Sequence, residues 1–290
     1  MKPALIKLHI AVFLWGFTGV LGRLIELNEG LLVWYRILIT IATLFAIFKY
    51  KKSFQQISTS LKFKLMRIGV IVAIHWLFFY GSIKYANVSI SLICLSSIAF
   101  FTAIIEPLVI KRKISLIEIT LSIISIIGIV LIFHFDDKFR VGIILGILSA
   151  IFSAIFSIYN KKNIVETNSQ TIMFYELIGG FIFLSLIGPF YLNIFPSVKL
   201  TPSLSDWFWL IILSWVCTVV AMDFSLQALK KISAFTLNLT VNLEPVYGII
   251  LAFIIFKEQN ELSGTFYIGF ILIIISVALQ MLRIKKYKTV

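Results

Sequence analysis

Six ionisable residues lie inside apolar runs of this chain: Arg36, His75, Glu106, Glu176, Asp223 and Glu244. A charge at that depth in a hydrocarbon layer is costly, so such residues face protein or water and mark pathways or binding sites. Glu244 stands out. It is the one carboxylate between Ala234 and Phe256, it falls near the centre of that run, and Pro245 follows it. At about 1.5 Å per residue the run spans a bilayer core of about 30 Å. A carboxylate there can exchange a proton or hold a cationic group of a substrate. The plain alternative is a buried Glu satisfied by a neighbouring hydroxyl, amide or cation. A proline at this point frees a backbone carbonyl one turn back. His75, in the middle of Ala73-Ile74-His75-Trp76, can donate to a carboxylate, relay a proton, or simply bond to a neighbouring helix.

Other polar and aromatic groups sit near these two. Asn238 and Asn242 are four residues apart and share a helix face, as cavity lining or as interhelical hydrogen bonds. Trp15, Trp76, Phe79, Tyr80, Trp215 and Phe224 are candidates for an apolar wall, or for packing alone. Arg36 suits a structural role on helix-end carbonyls or a carboxylate. Glu106 is shallow enough to pair with Lys111, Arg112 or Lys113 and act as a gate. Asp223 can gate or pair with Lys230 or Lys231. Glu176 matches Arg36 in the other half of the chain, and inversion of the halves keeps the two apart. Cys94 and Cys217 lie in apolar runs without metal or redox spacing and read as packing residues.

The elements that must position these groups are membrane helices. The 290 residues are 60% hydrophobic and 13% charged, a composition outside that of soluble domains. Ten spans are expected: Leu8–Ile25, Leu31–Phe48, Leu65–Ile83, Val88–Ile110, Leu116–Phe135, Val141–Asn160, Thr171–Leu192, Trp207–Leu229, Ala234–Phe256 and Leu262–Leu282. The net charge of +13 belongs to the loops, and no nucleic-acid partner is implied. With the N-terminus inside, nineteen of the 26 Lys and Arg residues fall on the inner side and six on the outer, with Arg36 within a span. That alternation predicts both termini in the cytoplasm.

The chain also repeats. Ile83-Lys84-Tyr85-Ala86 precedes the fourth span as Leu229-Lys230-Lys231-Ile232 precedes the ninth, and Trp34-Tyr35-Arg36 opens the second as Phe174-Tyr175-Glu176 opens the seventh. Two five-span halves, residues 1–138 and 139–290, are therefore expected. An odd number of spans inverts one half relative to the other, an architecture of secondary transporters with the site between the halves.

On these features the chain resembles the drug/metabolite transporter superfamily, in particular its EamA-type permeases. The resemblance rests on Leu14-Trp15-Gly16, on the arginine of Trp34-Tyr35-Arg36, and on the stretch from Ala228 to Glu258 containing Leu243-Glu244-Pro245. It departs in the first half, where Ala99 stands opposite Pro245, a second Glu-Pro pair comes at Glu106-Pro107, and Arg112 stands opposite Glu258. The resemblance implies a ten-helix inner-membrane permease, often an exporter of amino acids or other small metabolites. It also implies a central cavity lined by spans one, three, four, six, eight and nine. Expected partners are the lipid bilayer, a small-molecule metabolite and protons; no cofactor is implied, and the expected state is a monomer or weak homodimer. Two other readings stand beside this one. A passive channel would carry polar rings along a pore, whereas the polar groups here cluster at mid-depth. An intramembrane enzyme would need paired catalytic groups, and His9, His75 and His134 are spread over separate helices with no HExxH or GxSxG pattern.

Overall fold

The computed structural model describes residues 2–52, 54–111, 113–135, 137–164, 166–195 and 199–287. Arg112 and the side chain of His134 fall outside what it describes. The described residues fold as α1 (Lys2–Trp15), α2 (Thr18–Leu24), α3 (Glu29–Lys51), α4 (Thr59–Tyr85), α5 (Val88–Leu95), α6 (Ile98–Ile110) and α7 (Leu116–Phe135), then α8 (Arg140–Asn163), α9 (Ser169–Ile194), α10 (Leu204–Ser214), α11 (Ala221–Leu229), α12 (Ala234–Val241), α13 (Glu244–Phe256) and α14 (Gly264–Tyr287). No strand occurs among them. A π-helical turn, Trp215–Val220, joins α10 to α11.

Eight helical stretches among the described residues are long and apolar enough to cross a bilayer. They are Pro3–Leu24, Glu29–Lys51, Thr59–Tyr85, Val88–Ile110, Arg140–Asn163, Ser169–Ile194, Leu204–Leu229 and Ala234–Phe256. The expected fifth and tenth spans correspond to α7 and α14, whose apolar stretches, Leu116–Leu131 and Gly264–Ser276, are shorter. These two helices pack on each other, closely enough that a Cβ on Gly128 would lie 2.6 Å from the Gly269 carbonyl oxygen.

Helix starts follow the local sequence. Asn28, Ser58, Asn87, Asn168, Ser203 and Ser233 each accept a hydrogen bond from a backbone N–H of the helix they open, as N-cap residues do. Lys52, Lys111 and Lys257 close α3, α6 and α13 in the left-handed conformation. Between α4 and α9 the crossing is tight: a Cβ on Gly69 would overlap the Glu176 carbonyl, and one on Gly179 would overlap the Met66 backbone. Small residues bring helices together in this way where lipid supplies no hydrophobic drive.

The fourth and ninth spans are each two helices, and they break in register. Val88–Leu95 and Ala234–Val241 are both eight residues long, and Ile98–Ile110 and Glu244–Phe256 are both thirteen. The breaks fall at Ser96–Ser97 and at Asn242–Leu243, the positions that the Lys84/Lys230 alignment places opposite each other. A third break, Gly16–Phe17, divides the first span. It lies against α13, where a Cβ on Gly16 would sit 2.7 Å from the Tyr247 Cβ and one on Gly248 would sit 2.9 Å from the Gly16 carbonyl oxygen.

Candidate functional site

The breaks surround a cavity of about 810 Å³ of space between atoms, counted out to its mouth. Its lining comes from the first, third, fourth, sixth, eighth and ninth spans, with Arg36 added from the second. Trp15, His75, Trp76, Asn238 and Glu244 all line it.

Glu244 reaches the cavity by a route the sequence reading did not foresee. A continuous helix with a carbonyl freed by Pro245 was expected. Instead the helix ends at Val241, and Glu244 and Pro245 open α13. Proline is well suited to the first helical turn, where its missing N–H is no loss. The carboxylate then sits at a helix N-terminus, where the macrodipole favours a negative charge. The break consists of tightened turns: the Leu243 N–H bonds to the Thr240 carbonyl at 3.0 Å, and the Val246 N–H to the Leu243 carbonyl at 3.1 Å. Glu244 is 5% exposed, and among the described residues its carboxylate makes no hydrogen bond or ion pair.

Arg36 is fixed on three sides. Nε donates to Thr218 Oγ1 at 2.8 Å and Nη1 to the Tyr80 hydroxyl at 2.7 Å. Its guanidinium lies 3.9 Å from the centre of the Trp76 ring, a cation–π distance. The π-helical turn makes this possible. It brings Thr218, whose hydroxyl donates to the Leu213 carbonyl at 2.9 Å, against Arg36, and Ser214 Oγ donates to the Arg36 carbonyl at 3.2 Å. The same turn anchors the first span, because Trp15 Nε1 donates to the Cys217 carbonyl at 3.0 Å. Local π-helix commonly accompanies functional sites. Arg36 is thus both structural and cavity-lining, while Tyr80, expected in the cavity wall, stands behind it as its hydrogen-bond acceptor.

His75 lines the cavity and is bonded to a neighbouring helix. Its Nδ1 is 2.9 Å from the Ser149 carbonyl oxygen and 2.8 Å from Ser149 Oγ, which ties α4 to α8. With Nδ1–H donating to that carbonyl, Nε2 is left for the cavity. Asn238 likewise lines the cavity and joins helices: its amide nitrogen donates to Thr102 Oγ1 at 2.8 Å and to Ser157 Oγ at 2.6 Å. Asn242 does not join it. It caps α12 at the break, with its N–H bonded to the Asn238 carbonyl at 3.3 Å. It lines a separate space beside Phe270 and Ile273. Trp215 also points away, 51% exposed and bonded to Thr43 Oγ1 at 2.9 Å.

The remaining charges lie outside the cavity. Asp223 accepts from Ser169 and, at 2.8 Å, from Gln227, and Gln227 accepts from Lys7. This network replaces the expected pairing of Asp223 with Lys230 or Lys231, both of which are exposed. Glu176 is fully buried, with its carboxylate beside the amide of Asn160, which belongs to the cavity lining.

Two carboxylates close the ends of the broken spans, each from the opposite half. Glu258, fully buried, accepts from the Val88 and Ser89 N–H groups at 3.0 and 2.8 Å and pairs with Arg23. It thereby caps α5. Glu106 accepts from the Ala234 N–H at 3.2 Å, at the start of α12. Val88 and Ala234 are equivalent positions. The expected pairing of Glu106 with Lys111, Arg112 or Lys113 did not include this exchange, and Arg112 lies outside the described residues; the sequence signal for the exchange is a carboxylate in each half near the end of the broken span.

An all-helical chain with apolar helices of bilayer length around a polar-spotted cavity is a multi-pass membrane protein. It belongs to the EamA-like transporter family, whose model matches twice, over residues 2–134 and 140–282. An uncharacterized transporter of Haemophilus influenzae (strain ATCC 51907 / DSM 11121 / KW20 / Rd) is 26% identical over 181 residues, which is 59% of this chain and 59% of that protein. One crystal structure, 14% identical, superposes with a TM-score of 0.71 over 99% of both chains and shows a shared fold.

Proposed function

We propose that the protein is a secondary transporter that exports small metabolites such as amino acids across the cytoplasmic (inner) membrane by alternating access, coupled to protons. The observation that carries this reading is the Glu244 carboxylate, which lines the cavity at a helix break with no hydrogen-bond or ion-pair partner among the described residues. It can hold a proton or a cationic group of the cargo but not both, and that exclusion is what couples the two movements. The ten-span, inverted arrangement of residues 1–138 and 139–290, with both termini cytoplasmic, is supported by the Lys and Arg distribution and gives a cavity between two halves that can rock about it. His75, Trp76, Asn238 and Trp15 would contact the cargo, and Glu106 and Asp223 would hold the cytoplasmic side.

Purified protein in liposomes, offered a labelled amino-acid panel with and without an imposed pH gradient, tests the proposal. Gradient-driven uptake that disappears in Glu244→Gln is the expected result. Uptake indifferent to the gradient and unsaturable with concentration would indicate a passive channel instead.

A further inference from the structure

The cations at the two ends of the helices are partnered differently. At the end that the Lys and Arg bias assigns to the outside, Arg23 pairs with Glu258 and Lys199 with Glu26. Lys84 Nζ donates to the Ile25 carbonyl at 2.5 Å, and Lys138 Nζ to the Glu261 carbonyl at 2.8 Å. At the opposite end, Lys64, Arg67 and Lys162 make no hydrogen bond or ion pair among the described residues. They are gathered all the same. Lys64 and Arg67 from α4 and Lys162 from α8 line one groove between the two helices, about 820 Å³ of space counted out to its mouth. Lys64, Arg67, Ile68 and Ile71 share one face of α4, and Tyr159, Lys162 and Asn163 share one face of α8, by their three- and four-residue spacings. No carboxylate lines the groove among the described residues, and Glu166, three residues beyond Asn163, is not part of its wall. Three like charges around one groove repel each other, and an anion between them relieves that cost.

We propose that this groove binds an anionic phospholipid from the leaflet on that side. The lipid phosphate sits among Lys64, Arg67 and Lys162, with the Tyr159 hydroxyl as a further donor, and an acyl chain lies along Ile68 and Ile71. The order of the residues matches the depth of the lipid. At about 1.5 Å per residue, Lys64 stands about 8 Å along α4 from Thr59 and Ile71 about 18 Å, while Lys162 lies in the last turn of α8. The charged rim is thus at a helix end, level with headgroups, and the apolar wall is deeper, where chains begin. Arg67 presents a planar fork suited to phosphate, and the two lysines supply mobile point charges. Ile68 and Ile71 offer a soluble phosphate nothing, but they continue the path of a chain. The site is independent of what the central cavity carries.

Native mass spectrometry of the full-length protein released from detergent micelles tests this. The protein is titrated with dioleoylphosphatidylglycerol, with dioleoylphosphatidylcholine, which has the same chains and no net charge, and with glycerol phosphate. The anionic lipid should bind at least about fivefold more tightly than the zwitterionic one, and glycerol phosphate more weakly than the anionic lipid. A smaller lipid preference overturns the proposal, and glycerol phosphate binding as tightly as the lipid would make the groove a soluble-anion site instead. In the triple variant Lys64→Gln, Arg67→Gln, Lys162→Gln the preference should fall to less than about half its wild-type value; a variant that keeps more overturns the assignment. Lys49→Gln, Lys51→Gln, Lys230→Gln removes the same charge at the same end away from the groove and should keep the preference. Should it lose as much as the groove variant, the attraction is diffuse and there is no site. If the groove variant fails to fold, Arg67→Gln alone is read against the same control and the same half-value.

Discussion

The fourth and ninth spans share a backbone and differ in chemistry. Both break after eight residues, but the first resumes with Ile98-Ala99 and the second with Glu244-Pro245. The break therefore does not depend on proline. It belongs to the packing of each half, and the side chains placed at it decide what it is for. At Ser96–Ser97 the hydroxyls bond back to their own helix, Ser96 to the Leu92 carbonyl at 3.3 Å and Ser97 to the Cys94 carbonyl at 2.7 Å. At Asn242–Leu243 the next residue is a carboxylate turned into the cavity. One copy is a joint and the other is a joint with a ligand group. An unequal pair of this kind gives one charged site per molecule instead of two.

Several substitutions would break or sharpen that contrast. The largest effect is expected from Glu244→Gln, which makes the second break as neutral as the first. Gradient-driven flux in liposomes should fall at least about tenfold, equivalent to about 1.4 kcal/mol, while the circular dichroism of the helices stays unchanged. Glu258→Ala should come next. It leaves Arg23 with only Glu261, 3.9 Å away, and uncaps two N–H groups of α5, and breaking a buried ion pair costs about 3–5 kcal/mol. Arg23 is about one-third exposed, so the low end of that range applies, read as a lower thermal midpoint in detergent. Gly69→Ala should be comparable or somewhat milder, because the added Cβ meets the Glu176 backbone and overpacking costs about 1–3 kcal/mol. Its effect should be additive with Glu258→Ala, since the two act on different contacts. Glu106→Ala removes the equivalent cap on α12 and should cost about 1 kcal/mol. The smallest change belongs to Ala99→Pro, which copies Pro245 into the first half. Position 99 lies in the first turn of α6, so stability should shift by less than about 1 kcal/mol. A large loss would show that the two backbones are less alike than their boundaries.

Much of this was legible in the sequence because the repeat is written in it. Lys84 and Lys230 aligned the halves, and the helix boundaries of the fourth and ninth spans fall where that alignment puts them. Glu244, His75 and Asn238 stand out because polar groups in apolar runs are few, and the structure brings them to one cavity with Trp15 and Trp76. Facing direction was harder to read. Arg36 reads as a brace for helix-end carbonyls or a carboxylate, and nothing in Trp34-Tyr35-Arg36 reveals that a π-helical turn presents Thr218 to it from 182 residues further along the chain. Tyr80, an expected wall residue, is drawn away by Arg36, and Asn242, expected beside Asn238, lies at the break next to Phe270 and Ile273. Glu-Pro within an apolar run can mean a kink or a fresh start. Here it is a fresh start, with the Gly16 break packed beside it.

The exchange of helix caps has a consequence for how the chain is made. Ser89 waits for Glu258, a separation of 169 residues. A ribosome adding about 5–20 residues per second needs on the order of ten to thirty seconds to cover that distance. For that interval the first half sits in the membrane with the start of α5 open. The two halves are thus less like separate modules joined end to end than like two pieces of joinery, neither of which is finished until the other is seated.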